Sequence, residues 1–311
     1  MNTPAQLQNI ALWTNSPIHV DLLRLDLIHP VVSGNKWYKL RYYIQDALQQ
    51  NATTLASFGG PYSNHIVALA YAAQTYGLKS IGFIRSNEGE PLTPSLMDAI
   101  GYGMELVYLG RTFFQEKKAQ ILQKADSFQK NELTHSKVYY INEGGYGSIG
   151  AKGASTIIEE GMDRRLKEYD YIVCAVGTGT MIAGIINATE SNQKMIGIPV
   201  LKNEGSLMNE IEELLLPEKK TTSVSENKNY TLLTNYHQGG YAKTTQDQID
   251  FMNRFWHFTK IPTDIVYTGK LLFAIDDLIK NNYFPLNSKI LVIHSGGLQG
   301  NRSVAKGILD F

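Results

Sequence analysis

Lysine 36 stands in a run of residues that favours covalent chemistry. Lys36 follows a tight turn of serine, glycine and asparagine at positions 33–35 and precedes Trp37 and Tyr38. An amine in partly apolar surroundings has its ammonium form disfavoured, so its pKa falls and it becomes a usable nucleophile. Such lysines form Schiff bases with carbonyl groups, above all with pyridoxal phosphate. For so short a motif, an ordinary solvated lysine remains the alternative.

A loop rich in glycine and threonine could bind a phosphate group. Gly177, Thr178, Gly179 and Thr180 lie between a strongly apolar run and a predicted helix. Glycines let the backbone approach an anion, and the first N–H groups of a helix can donate to it. The dinucleotide fingerprint would need glycine where Ile182 stands, and the P-loop lysine is absent. The loop therefore predicts a small phosphate group, with an empty tight turn as the alternative.

Further glycine-led turns follow other apolar runs. Ser63, Asn64 and His65 begin a predicted helix after the turn at 59–61, and Ser295 precedes a pair of glycines. A helix N-terminus favours anions and ordered hydrogen bonds. Helix capping by Asn64 and simple packing of His65 are the alternatives. With the turns at 142–147 and 237–241, five such turns are difficult to explain by folding alone.

The composition excludes several classes of protein. The 311 residues carry 29 basic and 29 acidic side chains, which gives no case for nucleic acid or an anionic membrane as a partner. No apolar run has the length of a membrane span, and the first residues lack the regions of a signal peptide. Cys174 is the single cysteine, so no intrachain disulfide is expected and a reducing cytoplasm fits. The seven histidines lack zinc-motif spacing, so no metal site is predicted.

Apolar runs alternate with helical segments along the chain. This alternation predicts an α/β fold with open, mostly parallel sheets whose ligands bind at the carboxyl ends of strands. A helix capped by Ser63 and ending near Gly77 is expected, and another over about 181–188. Strands are predicted at 54–58, 80–85, 105–109, 137–141, 169–176, 195–200 and 289–294.

Taken in order, these motifs resemble the 1-aminocyclopropane-1-carboxylate (ACC) deaminases and D-cysteine desulfhydrases. The resemblance implies a tryptophan synthase β-like fold: two open, twisted, mostly parallel sheets flanked by helices. It also implies pyridoxal phosphate as cofactor, an amino acid as substrate and a homodimer. A large domain of residues 1–50 with 152–311 and a small domain of 51–151 are expected. The matching runs lie at 33–36 with Lys39, 59–65, 143–145, 177–180 with 183–184, 264–270 and 294–297.

The resemblance also implies a role for each site residue. Those expected at the cofactor are Lys36 as the Schiff-base lysine, Lys39 with Gly177, Thr178, Gly179 and Thr180 at the phosphate, Asn64 at the ring oxygen and Ser295 at the pyridine nitrogen. Those expected at the substrate are Ser63, Asn64 and His65, and those expected in catalysis are Lys36, Ser63, Tyr267 and Tyr241.

Two positions bear on which reaction is catalysed. ACC deaminases have glutamate after the tyrosine, directed to the pyridine nitrogen, where this chain has Thr268. Met181 stands where members often have threonine. Similarity at Thr268 and Ser295 favours α,β-elimination from a D-amino acid, foremost D-cysteine. ACC ring opening, a racemase or lyase for another D-amino acid, and a non-catalytic pyridoxal phosphate carrier are the alternatives.

Overall fold

The computed structural model describes residues 4–11, 17–128, 137–161, 163–190, 192–202, 205–220 and 229–311. Its strands are β1 (Gln6–Asn9), β2 (His19–Arg24), β3 (Thr54–Gly59), β4 (Lys79–Ile84), β5 (Met104–Tyr108), β6 (Val138–Ile141), β7 (Tyr171–Val176), β8 (Lys194–Pro199), β9 (Tyr230–Leu232) and β10 (Lys289–His294). Its α-helices are α1 (Asn35–Gln49), α2 (Asn64–Thr75), α3 (Pro94–Gly101), α4 (Phe114–Phe128), α5 (Ser148–Gly161), α6 (Thr180–Ala188), α7 (Ser206–Leu214), α8 (Gln246–Thr259) and α9 (Thr268–Lys280).

The larger sheet has six strands in the order β1-β2-β10-β7-β8-β9. All its pairs are parallel except β1 with β2. Every residue of β7 is buried, as expected for a strand covered by helices on both faces. The predicted strands at 169–176, 195–200 and 289–294 are confirmed. The strands β1, β2 and β9 were not predicted. β1 and β9 are short edge strands with weak apolar patterns, and the apolar residues of β2 are interrupted by His19, Asp21 and Arg24.

The smaller sheet has four parallel strands in the order β5-β4-β3-β6. The four strands predicted between positions 54 and 141 are confirmed and share this sheet. The helix predicted after Ser63 is confirmed as α2, and the helix predicted at 181–188 is confirmed as α6. The predicted α/β class with two mostly parallel sheets flanked by helices is therefore confirmed.

Helices on both faces bury the large sheet. On one face Phe251 and Phe255 of α8 and Ile275 of α9 belong to one buried cluster, and on the other Ile157 of α5 and Ile185 of α6 belong to a second. Burial of each such side chain removes apolar surface from water and stabilises the folded state by about 2 kcal/mol. Within the described ranges, none of the helices combines the length and apolar character that crossing a membrane requires.

Candidate active site

A cavity of about 730 Å³ lies where strands of both sheets end. Parallel strands of one sheet end at a common edge, so the loops that follow them converge there. Its wall includes Gly60 after β3, Arg85 after β4, Asn142 after β6, Gly177 after β7 and Leu201 after β8. Both sheets therefore contribute loops to one site.

Lys36 is the second residue of α1 and lines this cavity. The turn before it requires glycine, because Gly34 has φ +69° and a Cβ there would lie 1.8 Å from the carbonyl oxygen of Ser295. Burial lowers the pKa of Lys36 to about 8. A larger fraction of this amine is therefore neutral, and so nucleophilic, at physiological pH than for an ordinary lysine.

Lys39 lies one helical turn after Lys36 and is only 3% exposed. Its Nζ donates to the carbonyl oxygen of Gly144 at 3.2 Å, and a Cβ on Gly144 would meet the Thr178 side chain at 2.9 Å. Burial, followed by the positive charge of Lys36, holds the pKa of Lys39 well below its usual value. A bound anion would favour the charged form of this amine.

The loop at 177–180 has the geometry of an anion site. Gly179 has φ +76° and precedes α6, and no side chain caps the first N–H groups of that helix. The hydroxyls of Thr178 and Thr180 lie 3.2 Å apart. Gly177, Thr178 and Gly179 line the cavity, whereas Thr180 is fully buried and is not part of the wall. The N–H groups and Thr178 are therefore the donors that face the cavity.

Ser63 and Asn64 are brought to the cavity by the start of α2. Ser63 Oγ accepts from the N–H of Ile66 at 3.3 Å and so caps the helix, as expected, while also lining the cavity. Asn64 Nδ2 lies 3.5 Å from the carbonyl oxygen of Gly297, and its buried Oδ1 has no hydrogen-bond partner among the described residues. A buried amide with one unpaired atom is costly unless a bound group completes its hydrogen bonds.

His65 is packed more deeply than its neighbours. Its Nε2 lies 2.9 Å from Ser57 Oγ, which donates to the carbonyl oxygen of Ile141 at 2.8 Å. Nε2 is therefore the protonated nitrogen. The buried Nδ1, which has no partner in the described part of the chain, is an acceptor. Burial, then the charges of Lys36 and Lys39, hold the pKa of His65 well below its usual value. A neutral acceptor is poorly suited to bind a substrate carboxylate directly.

Tyr267 and Tyr241 approach the cavity from α9 and from the turn at 237–241. Tyr267 lies beside the loop at 177–180, since a Cβ on Gly177 would be 3.4 Å from the Tyr267 ring. The carboxylate of Asp264 accepts from the N–H groups of Val266, Tyr267 and Thr268 at 2.8–2.9 Å. Burial, then neighbouring Tyr241 and Asp264, raises the pKa of Tyr267 well above its usual value, so its phenol stays protonated.

Ser295 and Thr268 are near the site but are not part of the cavity wall. The Ser295 carbonyl oxygen accepts from the N–H of Asn35 at 3.2 Å, which places it against the Lys36 turn. The Thr268 hydroxyl donates to Asp264 Oδ1 at 2.7 Å. Position 268 thus contributes to the start of α9 instead of presenting a side chain to the cavity.

Several charged wall residues were not predicted from the sequence. Lys118 Nζ lies 3.5 Å from Glu143 Oε2, and Tyr146 donates to Glu213 Oε2 at 2.8 Å. Arg85 directly follows β4, so its strand-end position was a signal that could have identified it. The others lie on helices or turns far apart in sequence, where no local pattern distinguishes them from surface charges.

These residues fit a cofactor that carries both a phosphate and an aldehyde. Uncapped N–H groups with Lys39 suit the phosphate, the amine of Lys36 suits the aldehyde, and Asn64 has an unpaired polar atom. In the described part of the chain, no group of three or more His, Cys, Asp or Glu is arranged to hold a metal ion.

Comparison with known proteins agrees with this fit. The model of the family described as pyridoxal-phosphate dependent enzyme matches residues 8–296. A putative 1-aminocyclopropane-1-carboxylate deaminase of Thermotoga maritima is 33% identical over 284 residues, covering 89% of this chain and 88% of that protein. The bifunctional D-cysteine desulfhydrase/1-aminocyclopropane-1-carboxylate deaminase, mitochondrial, of Arabidopsis thaliana is 28% identical over 318 residues, covering 96% of this chain and 75% of that protein. The crystal structure of an ACC deaminase homologue is similar with a TM-score of 0.80 and 25% identity, over 96% of this chain and 91% of that one.

Proposed function

This chain belongs to the ACC deaminase and D-cysteine desulfhydrase family of pyridoxal-phosphate dependent enzymes, and on that premise we propose that it converts D-cysteine to pyruvate, ammonia and hydrogen sulfide. When bound, the cofactor would supply an aldehyde for the substrate amine and an electron sink for the α-carbon. The protein must then hold the cofactor, remove the α-proton and assist departure of the β-thiol.

We propose that the cofactor is held by residues from three parts of the wall. The N–H groups at the start of α6, with Thr178 and Lys39, bind the phosphate. Asn64 would complete the hydrogen bonds of its amide on the ring oxygen, and Ser295, which follows β10 behind the wall, would face the pyridine nitrogen. Ser63, beside Asn64, is left to bind the substrate, while Thr180 supports the loop from behind through its contact with Thr178.

We assign the two proton transfers to Lys36 and Tyr267. With a pKa of about 8, roughly one in ten free Lys36 amines is neutral at pH 7, which suits a general base for the α-proton. The Tyr267 phenol is protonated at that pH, so its hydroxyl is available to donate a proton to the leaving thiolate. Tyr241, adjacent to it at the cavity wall, helps to orient the reacting groups.

The observation that carries the choice of D-cysteine is the environment of Thr268. Threonine offers no carboxylate that would hold the pyridine nitrogen protonated, and its hydroxyl is already engaged by Asp264. A hydroxyl such as that of Ser295 leaves the ring a weaker electron sink. A weak sink suits loss of a thiol, which is a good leaving group, better than cleavage of a cyclopropane carbon–carbon bond. The name of the Thermotoga maritima relative supports the alternative, ACC deamination.

A substrate panel tests this proposal. Pyruvate release would be measured with D-cysteine, L-cysteine, β-chloro-D-alanine and D-serine, and 2-oxobutyrate release with ACC. We expect kcat/KM to be highest for D-cysteine or β-chloro-D-alanine and at least about tenfold lower for ACC, a difference of about 1.4 kcal/mol in activation free energy. If ACC is the only substrate of the panel that is turned over, the activity of this chain is ACC deamination instead.

The pH dependence of cofactor capture tests the lowered pKa of Lys36. Only the neutral amine is a nucleophile, so the second-order rate of covalent capture by the apoprotein should rise with pH and level off above about pH 8. The rate would be followed by absorbance in stopped flow between pH 6 and 10. A rate that still rises tenfold per pH unit at pH 9.5 would show that the pKa of Lys36 is that of an ordinary lysine. Lys36→Ala provides the control without covalent capture.

We also propose that the two sheets define two domains, residues 1–50 with 152–311 and residues 51–151. All strands of the smaller sheet lie within 54–141, and all strands of the larger sheet lie outside that range. The proposed cofactor site then lies between the two domains.

A further inference from the structure

Lys270 is a fully buried lysine outside the cavity wall, with an unusual set of partners. It lies in the first turn of α9 and is 0% exposed. Its Nζ donates to the backbone carbonyl oxygens of Val200 at 3.2 Å, His237 at 2.8 Å and Gly240 at 2.6 Å. An ammonium group has three N–H donors, and all three are used. A neutral amine would leave one of these carbonyl groups without its donor.

The three carbonyl groups belong to two separate segments. Val200 directly follows β8, whereas His237 and Gly240 belong to the turn that carries Tyr241 to the cavity. Lys270 itself is three residues after Tyr267. One ammonium group therefore connects the end of a central strand, the helix that begins at Tyr267 and the turn that carries Tyr241.

The Tyr241 turn needs such a support. Gln238 and Ala242 both have φ of +53°, and Gly239 and Gly240 have φ of +90° and +114°. Residues with a Cβ adopt this left-handed region only at a cost, so tertiary contacts must maintain it. Charge-assisted hydrogen bonds to two carbonyl groups of the turn provide that contact.

We propose that the Lys270 ammonium is a built-in monovalent cation that positions Tyr241 for the reaction. A ring of carbonyl oxygens around a single positive charge is chemically a site for a potassium or ammonium ion. Here the charge is attached to α9, so the turn is held in register with Tyr267 without a free ion. This inference rests on the proposed function in one respect, which is that Tyr241 contributes to the rate of the reaction.

A double-mutant cycle tests whether Lys270 acts through Tyr241. Lys270→Met keeps the apolar stem and removes the charge, so the variant should fold, and we expect kcat to fall about 10²-fold. Tyr241→Phe should lower kcat by a similar factor in the wild-type background, but less than about twofold in the Lys270→Met background. If the fold losses in kcat of the two single variants multiply in the double variant, the residues act independently and the proposal is overturned. A Lys270→Met variant with wild-type kcat would also overturn it.

Chemical rescue gives a readout that does not depend on activity. Lys270→Ala removes the atoms that n-propylammonium would replace, so this ion should raise Tm of the apoprotein variant and restore at least about tenfold in kcat. Potassium should give a smaller rise in Tm. Lys219→Ala is the matched control, because within the described ranges the Lys219 ammonium donates to one carbonyl group, that of Thr189, away from the cavity.

The outcomes separate this inference from the proposed function. A rise in Tm of Lys270→Ala with n-propylammonium, absent in Lys219→Ala and in the wild type, supports a cation site whatever the substrate. A rise of the same size in all three proteins, or in none, would overturn it. If D-cysteine is not turned over, the cycle is measured with the substrate that the panel identifies.

Discussion

Replacing Lys36 by alanine is expected to lower kcat by roughly 10³-fold or more and to abolish covalent attachment of the cofactor. The reason is that Lys36 combines a position in the cavity wall with a pKa lowered to about 8. The change removes the amine that we propose binds the cofactor aldehyde, and this amine is also the proposed base. Borohydride reduction of the holoprotein followed by peptide mass mapping would locate the attachment, and product release would give kcat.

Lys39 and Lys152 provide the controls for that result. Lys39 and Lys118 also line the cavity, so a labelled peptide that contains either of them in place of Lys36 in the wild-type protein would contradict the assignment. Lys152 lies in α5 with its ammonium 5.1 Å from the centre of the Tyr42 ring. Lys152→Ala should retain the cofactor spectrum and nearly all of kcat. An unchanged cofactor spectrum in Lys36→Ala would also contradict the proposal.

Replacing Tyr267 by phenylalanine is expected to lower kcat roughly 10²- to 10³-fold while cofactor binding is retained. The substitution removes only the hydroxyl of a partly buried ring that lies beside the loop at 177–180. Without that proton donor the thiolate must leave unprotonated. The loss should therefore be smaller with β-chloro-D-alanine, because chloride needs no proton to depart. Steady-state kinetics with D-cysteine and β-chloro-D-alanine would measure the difference.

Tyr169→Phe is the matched control for this prediction. Tyr169 is buried, and its hydroxyl donates to Asp21 Oδ2 at 2.7 Å, away from the cavity. We expect that variant to lose some stability, about 1 kcal/mol, and little kcat. Equal losses of kcat in the two variants would indicate a general structural effect, and a Tyr267→Phe variant within twofold of wild type would exclude the acid role.

The motif-based resemblance was confirmed at the level of family, fold and cofactor, and the physical basis lies in local signals. Strands such as β7 and β10 are continuous apolar runs. Gly59 at the end of β3 has no room for a Cβ, which would lie 2.7 Å from the Ile66 side chain, and Gly179 after β7 has φ +76°. Edge strands β1 and β9 could not be predicted, because half-exposed short strands have little apolar periodicity. The roles of individual site residues remain predictions for the experiments above.

The sequence by itself determined the elements and the chemical types of residue in the site. A lysine after a glycine turn, a glycine-threonine loop before a helix and a tyrosine before α9 are all local patterns, and local conformation follows from backbone and capping preferences. Only the tertiary structure decided their environments. The lowered pKa of Lys36, the neutral His65, the engagement of Thr268 with Asp264 and the enclosed ammonium of Lys270 depend on burial and on partners distant in sequence. Desolvation and long-range hydrogen bonds arise only when the chain is packed, so no local pattern could specify them.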